Sequence, residues 1–341
     1  MATDRPALQA VLVVVPARDE QDLIVDCLTG IQAATAAAGH GLPLVVSVVL
    51  HRCADATAAR VERFLEGAAA RGPSGWVVTD SDARTVGEAR GEGVSRALAH
   101  AALADLDPAA VWVASTDADS RVPPTWLAVQ RDLGDSGVDL VLGTVEPEDD
   151  ASAAVGFWRA HRPVQGHRGV HATSLGVRLS AYHRAGGFPA LEVGEDAQLV
   201  HAVRHGVGLP WTSTHLIPVV TSARRDGRRR RGRQSHGVAT FLRRLDAALA
   251  DPDEAPGLRE RLREEVLRLA EERGTGRTLC PSEAAGAVDP ARRRELTHLA
   301  RAVACTLADE GLVEVTQQGI VVDGRRAVGP VRVRLVPPQT G

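Results

Sequence analysis

Short runs of β-branched residues alternate with longer Ala- and Leu-rich segments through the first two thirds of the chain. Residues 11–15 form an uninterrupted apolar run, which predicts a buried strand, and similar runs follow at residues 44–50, 76–79 and 111–115. The segment after the first run predicts a helix with one apolar face, formed by Ile24, Cys27, Leu28 and Ile31. This βαβαβαβ series predicts a mostly parallel α/β sheet with helices on both faces. Ligands of such sheets bind beyond the carboxyl ends of the strands.

Further strand candidates lie at residues 138–145 and 216–220, with a helix beginning near Gly194. After residue 236 the pattern changes to helices, the first of which ends near residue 245, and then to a terminal β hairpin. Three helices followed by a hairpin is the order of a small α+β domain of the winged-helix type. We therefore predict an α/β domain at 1–235, a helix and linker at 236–256, and a winged-helix-like domain at 257–341.

Composition narrows the chemistry, because the 341 residues include no lysine and all 40 basic residues are arginine. Schiff-base catalysis, a lysine base and a lysine-containing phosphate loop are thereby excluded. Anions must be met by arginine, a metal ion, backbone N–H groups or a helix terminus. The formal net charge of −3 argues against a nucleic-acid-binding protein, which usually carries a basic domain.

Cysteine spacing and hydropathy predict the compartment. The four cysteines, Cys27, Cys53, Cys280 and Cys305, form no C-x-x-C pair, so we expect reduced thiols rather than disulfides or a zinc site. The first residues lack the apolar core of a signal peptide, and no apolar run is long enough to span a bilayer. We therefore expect a soluble, cytoplasmic protein.

Two acids, Asp117 and Asp119, stand one residue apart at the end of the fourth predicted strand. Carboxylates at this spacing can converge on one hard divalent cation, whose usual role is to bridge the diphosphate of a nucleotide sugar. A simple acidic turn after a strand is the alternative interpretation.

Two other strand and helix boundaries carry polar residues suited to binding or catalysis. The segment 15–20, Val-Pro-Ala-Arg-Asp-Glu, follows the first strand and suits a nucleotide base and ribose, although a plain βα turn with a capping acid is the alternative. Glu195 and Asp196 open a helix, where they either stabilise its dipole or supply a general base for an acceptor hydroxyl.

Five segments, taken together, resemble the family 2 glycosyltransferases of the GT-A fold. They occur in the family's order and spacing across roughly residues 8 to 235, at residues 15–20, 86–90, 116–120, 175–189 and 194–199. The resemblance implies a metal-dependent transfer of sugar, with inversion, from a nucleotide diphosphate sugar to an acceptor hydroxyl. It also implies Mg²⁺ or Mn²⁺ as the cofactor.

The resemblance implies roles for individual positions. The loop that surrounds the nucleoside corresponds to Pro16, Ala17, Arg18 and Glu20. Arg90 corresponds to a position that commonly faces the diphosphate, Asp119 to the principal metal ligand, and Asp117 to a position near the ribose or the metal. Asp196 corresponds to the catalytic base, with Glu195 beside it, and the segment Gly186-Gly187-Phe188 lies on the acceptor side.

The chain departs from the family at two places. His51 stands where many relatives have an acid that contacts the base, and Ala172-Thr173-Ser174 replaces the commoner Gly-Ala-Asn. These departures put the identity of the donor base and the acceptor contacts in question.

Seven arginines and one aspartate occur in the Gly-containing run at residues 224–233. We predict that Arg224, Arg225 and Arg228 close over the diphosphate or over an anionic acceptor, where bidentate guanidinium contacts are favoured. A solvated, mobile loop is the alternative.

The segment at 257–337 resembles a short bacterial domain of unknown function with a winged-helix pattern, which supplies no activity. Arg292, Arg293 and Arg294 could contact phosphates, but acids are expected to surround them, namely Glu283, Glu295, Asp309 and Glu310. A contact with a protein partner is therefore favoured over DNA binding.

The residues and the resemblance together predict a metal-dependent glycosyltransferase with a soluble acceptor. One alternative is a catalytically inactive nucleotide-sugar-binding or regulatory protein that uses its C-terminal domain for interaction. A sugar-phosphate nucleotidyltransferase is the other, although the absent lysines and the lack of a Gly-rich N-terminal segment argue against it.

Overall fold

The computed structural model describes residues 5–39, 41–68, 73–148, 155, 170, 172–222, 255–325, 327 and 330–336. The chain forms two compact units, one comprising residues 1–145 and 170–221 and the other residues 146–169 and 222–341. The predicted domain boundary at residue 235 lies outside the described residues. No helix among the described residues is long and apolar enough to cross a membrane.

The strands up to residue 221 form a large sheet and a small one. In chain order they are β1 (Ala10–Ala17), β2 (Leu44–His51), β3 (Gly75–Ser81), β4 (Val111–Ser115), β5 (Ser120–Arg121), β6 (Leu140–Leu142), β7 (Val145–Pro147), β8 (Leu175–Arg178), β9 (Trp211–Ser213) and β10 (Val219–Thr221). The large sheet has the order β3-β2-β1-β4-β8-β6-β9, and the small one has the order β5-β10-β7.

The large sheet is mostly parallel. β1 pairs in parallel with both β2 and β4, β2 with β3, and β6 with β9. β8 is the exception, since it runs antiparallel to β4 and β6. This architecture confirms the predicted α/β class with a mostly parallel sheet.

The strand predicted at residues 216–220 is wrong in its extent. Only Val219–Thr221 is extended, and it pairs with β5 in the small sheet. Trp211–Ser213 instead closes the large sheet beside β6. A three-residue strand is too short to show periodicity, so the sequence gives little sign of it.

Helices cover both faces of the large sheet, as predicted. They are α1 (Ile24–Ala38), α2 (Thr57–Ala68), α3 (Val86–Leu98), α4 (Trp126–Asp135), α5 (Leu179–Arg184) and α6 (Glu195–His201). The predicted apolar face of α1 packs with α4 against Val13 and Val15 of β1. Leu12 and Val14, which point to the opposite face, pack in the same core as α3 and α6.

From residue 255 onward, the described part of the second unit has three helices followed by an antiparallel sheet, as the pattern predicts. Its elements are α7 (Ala255–Arg273), α8 (Pro281–Val288), α9 (Arg293–Asp309), β11 (Val313–Gln317), β12 (Ile320–Val321) and β13 (Arg332–Leu335). β11 lies between β12 and β13. The winged-helix assignment stays a prediction.

The acids expected to surround Arg292–294 are not all near them. Asp309 lies at the other end of α9, about 24 Å away at the helical rise, and it pairs with the buried Arg325. Glu310 forms a bidentate ion pair with Arg263, at 2.6 and 2.9 Å. The expectation is therefore wrong for Asp309 and Glu310, because the 17-residue helix α9 separates them from Arg292–294.

Candidate functional site

The loops after β1 and β2 are fastened to each other at the carboxyl edge of the sheet. Asp19 and Arg52, just beyond the strand ends, both adopt left-handed backbone conformations, with φ of 53° and 55°. The Ala54 N–H donates to Asp19 Oδ1 at 2.6 Å, and the Glu20 N–H donates to Thr57 Oγ1 at 2.7 Å. Left-handed non-glycine residues are uncommon and concentrate at functional sites.

Pro16 does not end the first strand, contrary to the sequence interpretation. β1 continues to Ala17, and Pro16 lies opposite Val49 of β2. The pairing of β1 with β4 ends at Val14. Pro16 therefore lies in a part of β1 whose one paired strand in the register is β2.

Three buried polar atoms at this edge have no hydrogen-bond partner among the described residues. They are Arg18 Nε after β1, His51 Nδ1 at the end of β2, and Thr116 Oγ1 after β4. Buried polar groups are normally satisfied, so each such atom calls for water or a polar ligand. Because β2 and β4 both flank β1, the three atoms mark one polar edge of the sheet.

His51 is buried, and burial lowers its pKa below the ordinary value of 6.5. The nearby backbone of Ala83 opposes this shift, while the charges of Arg90 and Arg52 add to it. The neutral imidazole is therefore the favoured form in the folded protein.

This shift predicts a loss of stability in mild acid. Above pH 6.5 the imidazole is neutral in both the folded and unfolded chain; below it, the unfolded chain takes up the proton first, so the free energy of unfolding decreases. In His51→Gln this decrease should be shallower in urea titrations between pH 7 and 5. The exposed His215→Gln is the matched control and should keep the wild-type slope. Identical slopes in all three proteins would contradict the prediction.

The two acids after β4 have different surroundings. Asp117 accepts hydrogen bonds on both oxygens, at Oδ1 from the guanidinium of Arg90 and at Oδ2 from the hydroxyl of Thr173. Asp119 Oδ1 accepts a hydrogen bond from the Ser120 hydroxyl at 3.0 Å. The charge of Asp117 is thus largely balanced by protein groups.

Arg90, which the resemblance places against the diphosphate, is fully buried on α3. Its N–H groups donate to the Ser115 hydroxyl, to the Thr116 carbonyl at 3.3 Å, to Asp117, and to Glu195 Oε1 at 3.4 Å. The structure therefore places this guanidinium among protein acceptors behind the acidic motif.

Asp196 and Glu195 begin α6 and are both buried. Gly194, which precedes them, has φ of 86°, a conformation that favours glycine. Asp196 Oδ2 accepts a hydrogen bond from the Ala172 N–H at 2.8 Å, and Oδ1 accepts one from the Ala197 N–H at 2.7 Å.

The short 3₁₀ turn Ala172–Ser174 connects the two acidic motifs. Its first residue donates to Asp196, and its second residue, Thr173, donates to Asp117. The sequence shows Thr173 only as a departure from the family's usual segment, so its contact was not predicted. This turn is the strongest sign that the two motifs form one site.

The segment at residues 188–191 is held close to the start of α3. A side chain on Gly87 would place its Cβ 1.8 Å from the carbonyl oxygen of Pro189, and the Gly87 N–H donates to the Leu191 carbonyl at 3.1 Å. The Phe188 N–H donates to the Tyr182 hydroxyl at 3.2 Å. Glycine at position 87 is therefore required for this close approach.

The carboxylates at this edge suit a cation that takes some of its ligands from a bound substrate. Among the described residues, no group of three or more His, Cys, Asp or Glu side chains could hold a metal ion. Magnesium-type ions commonly bind one or two carboxylates and complete their shell with phosphate and water oxygens. Asp119 is a carboxylate of this kind, and Asp117, which is paired with Arg90, stands two residues before it.

The remaining predicted contacts, Arg224, Arg225 and Arg228, lie outside the residues that the structure describes.

Comparisons with known proteins identify one family match and several similar folds. Residues 259–336 match a family described as "Protein of unknown function (DUF3253)". No curated protein matches the chain.

Among solved structures, a mannosyltransferase from Pyrobaculum calidifontis, in complex with GDP-Man and Mn²⁺, is 18% identical, with a TM-score of 0.46 over 89% of this chain and 76% of that one. TarS residues 1–349 from S. aureus, in complex with UDP-GlcNAc, are 14% identical to this chain. The TM-score is 0.46, and the match covers 89% of this chain and 91% of that one. Glucosyl-3-phosphoglycerate synthase from Mycobacterium tuberculosis is 18% identical. The TM-score is 0.36, and the match covers 61% of this chain and 70% of that one.

Proposed function

We propose that this protein is a metal-dependent glycosyltransferase that transfers a sugar from a nucleotide diphosphate sugar to an acceptor hydroxyl, with inversion. The observation that carries the proposal is the turn Ala172–Ser174, which hydrogen-bonds Asp117 on one side and Asp196 on the other. A carboxylate pair for the donor and a carboxylate for the acceptor thus belong to one connected site.

The loops after β1 and β2 are proposed to bind the nucleoside of the donor, through Pro16, Ala17, Arg18, Glu20 and His51. The unsatisfied Arg18 Nε and His51 Nδ1 support this assignment, because a base or ribose could supply their missing partners. Arg224, Arg225 and Arg228 are proposed to contact the diphosphate, on the basis of sequence position and charge.

Asp119 is proposed as the principal protein ligand of Mg²⁺ or Mn²⁺, with Asp117 beside it. When bound, such a cation stabilises the negative charge that develops on the leaving nucleoside diphosphate. Asp119 would bind it through oxygen, the element that hard divalent cations prefer.

Asp196 is proposed to accept the proton of the acceptor hydroxyl. The acceptor oxygen forms a bond to the anomeric carbon as the bond from that carbon to the diphosphate breaks, and the hydroxyl proton passes to the carboxylate. Each carboxylate oxygen has two lone pairs, so the N–H bonds from Ala172 and Ala197 leave capacity to accept it. The same bonds fix the orientation of the side chain. Attack from the face opposite the diphosphate inverts the anomeric centre.

A screen of UDP-, GDP-, ADP- and dTDP-sugars with MnCl₂, read as nucleoside diphosphate release, tests the proposal. We expect turnover with at least one donor, its loss in excess EDTA, and its recovery on addition of Mn²⁺. In Asp119→Ala we expect both the turnover and the Mn²⁺-dependent calorimetric heat of nucleoside diphosphate binding to be lost, because the principal carboxylate ligand is removed.

Asp132→Ala is the matched control, since this exposed acid lies on α4 in the same unit and should leave both readouts unchanged. Absence of turnover by the wild type with every donor and a range of sugar acceptors would contradict the proposal. Binding without turnover would instead favour a regulatory protein with an inactive site.

A further inference from the structure

Arg90 is the most thoroughly enclosed charge of the candidate site. Its side chain has no exposed surface, and four of the five N–H donors of a guanidinium are used in hydrogen bonds to Ser115, Thr116, Asp117 and Glu195. A guanidinium enclosed in this way does not face a ligand in the crevice. The diphosphate contact implied by the family resemblance stays a prediction, and these protein contacts favour a different role for Arg90.

The contacts of Arg90 join segments that are far apart in the sequence. Ser115 is the last residue of β4 and Asp117 follows it, whereas Glu195 begins α6, 105 positions further along the chain than Arg90. The guanidinium carbon also lies 5.8 Å from the centre of the Phe188 ring, on the acceptor-side segment. One side chain on α3 thus contacts the donor-side acid, the helix of the proposed base, and the acceptor-side segment.

The simultaneous contacts with Asp117 and Glu195 require an arginine side chain. A buried cation between two carboxylates keeps each partner in place, and removing it leaves those charges uncompensated. The guanidinium is planar with donors at fixed directions, so it can bind Asp117 through Nη2 and Glu195 through Nε simultaneously. A lysine ammonium keeps the charge but is a compact point charge without that fork.

We propose that Arg90 is a positioning residue for the transfer reaction. By binding Asp117 and Glu195 together, it fixes the start of α6, and hence Asp196, relative to the donor-side acids, without contacting the donor. This inference rests on the proposed function, because it assigns Asp196 the role of base.

The test compares Arg90→Lys with Arg178→Lys. Arg178 is an equally buried arginine in the same unit. It lies on β8 opposite the amino end of β4, three register positions from Ser115, and pairs with Asp139. We expect both variants to lower the melting temperature. Arg90→Lys alone should lower kcat by roughly tenfold to a hundredfold, the effect typical of small displacements of reacting groups. The Kd values of UDP and GDP with MnCl₂ should change by less than about threefold, since the proposed role gives Arg90 no contact with the nucleotide.

Other outcomes overturn the proposal in distinguishable ways. A large increase in Kd with unchanged kcat would assign Arg90 to direct diphosphate binding, and equal kcat values in the two variants would assign it a purely structural role. If the wild-type enzyme showed no turnover, both the proposed function and this inference would be contradicted.

A milder variant serves if Arg90→Lys does not fold. Ser115→Ala removes one of the hydrogen bonds that hold the guanidinium and leaves its charge pairs intact. It should lower kcat by about threefold to tenfold with unchanged Kd, the effect of one lost hydrogen bond. Wild-type kcat in Ser115→Ala would count against the positioning role.

Discussion

Asp196→Asn is expected to lower kcat for sugar transfer by about 10²- to 10⁴-fold, the contribution usual for a general base. An amide cannot accept the acceptor proton, and its NH₂ group would face one of the backbone N–H groups that now bind the carboxylate. The effect should be measured as transfer at saturating donor and acceptor. Slow release of nucleoside diphosphate to water should persist, because the donor-side residues are unchanged.

The matched control is Gln198→Ala, which alters an exposed side chain on the same helix. Its kcat should stay within about twofold of the wild type, as for most surface substitutions. Transfer by Asp196→Asn within a few-fold of the wild type would contradict the assignment of this carboxylate as the base.

Asp139→Ala is expected to lower the free energy of unfolding of the first unit by about 3–5 kcal/mol, the usual cost of removing one partner of a buried ion pair. Asp139 accepts hydrogen bonds from Arg178 Nε at 3.1 Å and from Arg5 at 2.8 and 3.1 Å. Burial lowers the pKa of Arg178, and the Asp139 carboxylate opposes this shift. Without the carboxylate, a buried guanidinium would retain only its bonds to carbonyl oxygens, such as that of Gly134 at 2.6 Å.

Urea denaturation measures this loss, with Arg96→Ala as the matched control. Arg96 forms an exposed pair with Glu92 at 3.4 Å on α3, and such pairs contribute about 0–1 kcal/mol. A decrease below about 1 kcal/mol in Asp139→Ala would show that the buried pair contributes no more than a surface pair.

Local periodicity was enough to predict the elements with one clear apolar face. The four apolar positions predicted for the first helix are all buried in α1. In the second unit, Leu296, Leu299 and Val303 are likewise buried on one face of α9. The prediction for α1 succeeds because the 3.6-residue period depends only on which side of a helix faces a core.

Short elements and departures from simple rules were not predictable in the same way. Trp211–Ser213 forms a strand of three residues, and Pro16 lies within β1 although proline usually marks a strand end. Both depend on neighbours, since β6 provides the partner for the first and β2 the partner for the second. Strand pairing of this kind exists only in the assembled sheet, so the local sequence does not show it.

The sequence by itself determined the α/β class, the position of acidic motifs at strand and helix ends, and the reliance on arginine in a chain without lysine. The tertiary structure decided the partners. It places Arg90 between Asp117 and Glu195, and it brings Thr173 to Asp117 across 56 positions. The physical reason is that periodicity and residue type report burial and chemistry locally. An ion pair or hydrogen bond between distant positions exists only once the sheet and its helices have packed.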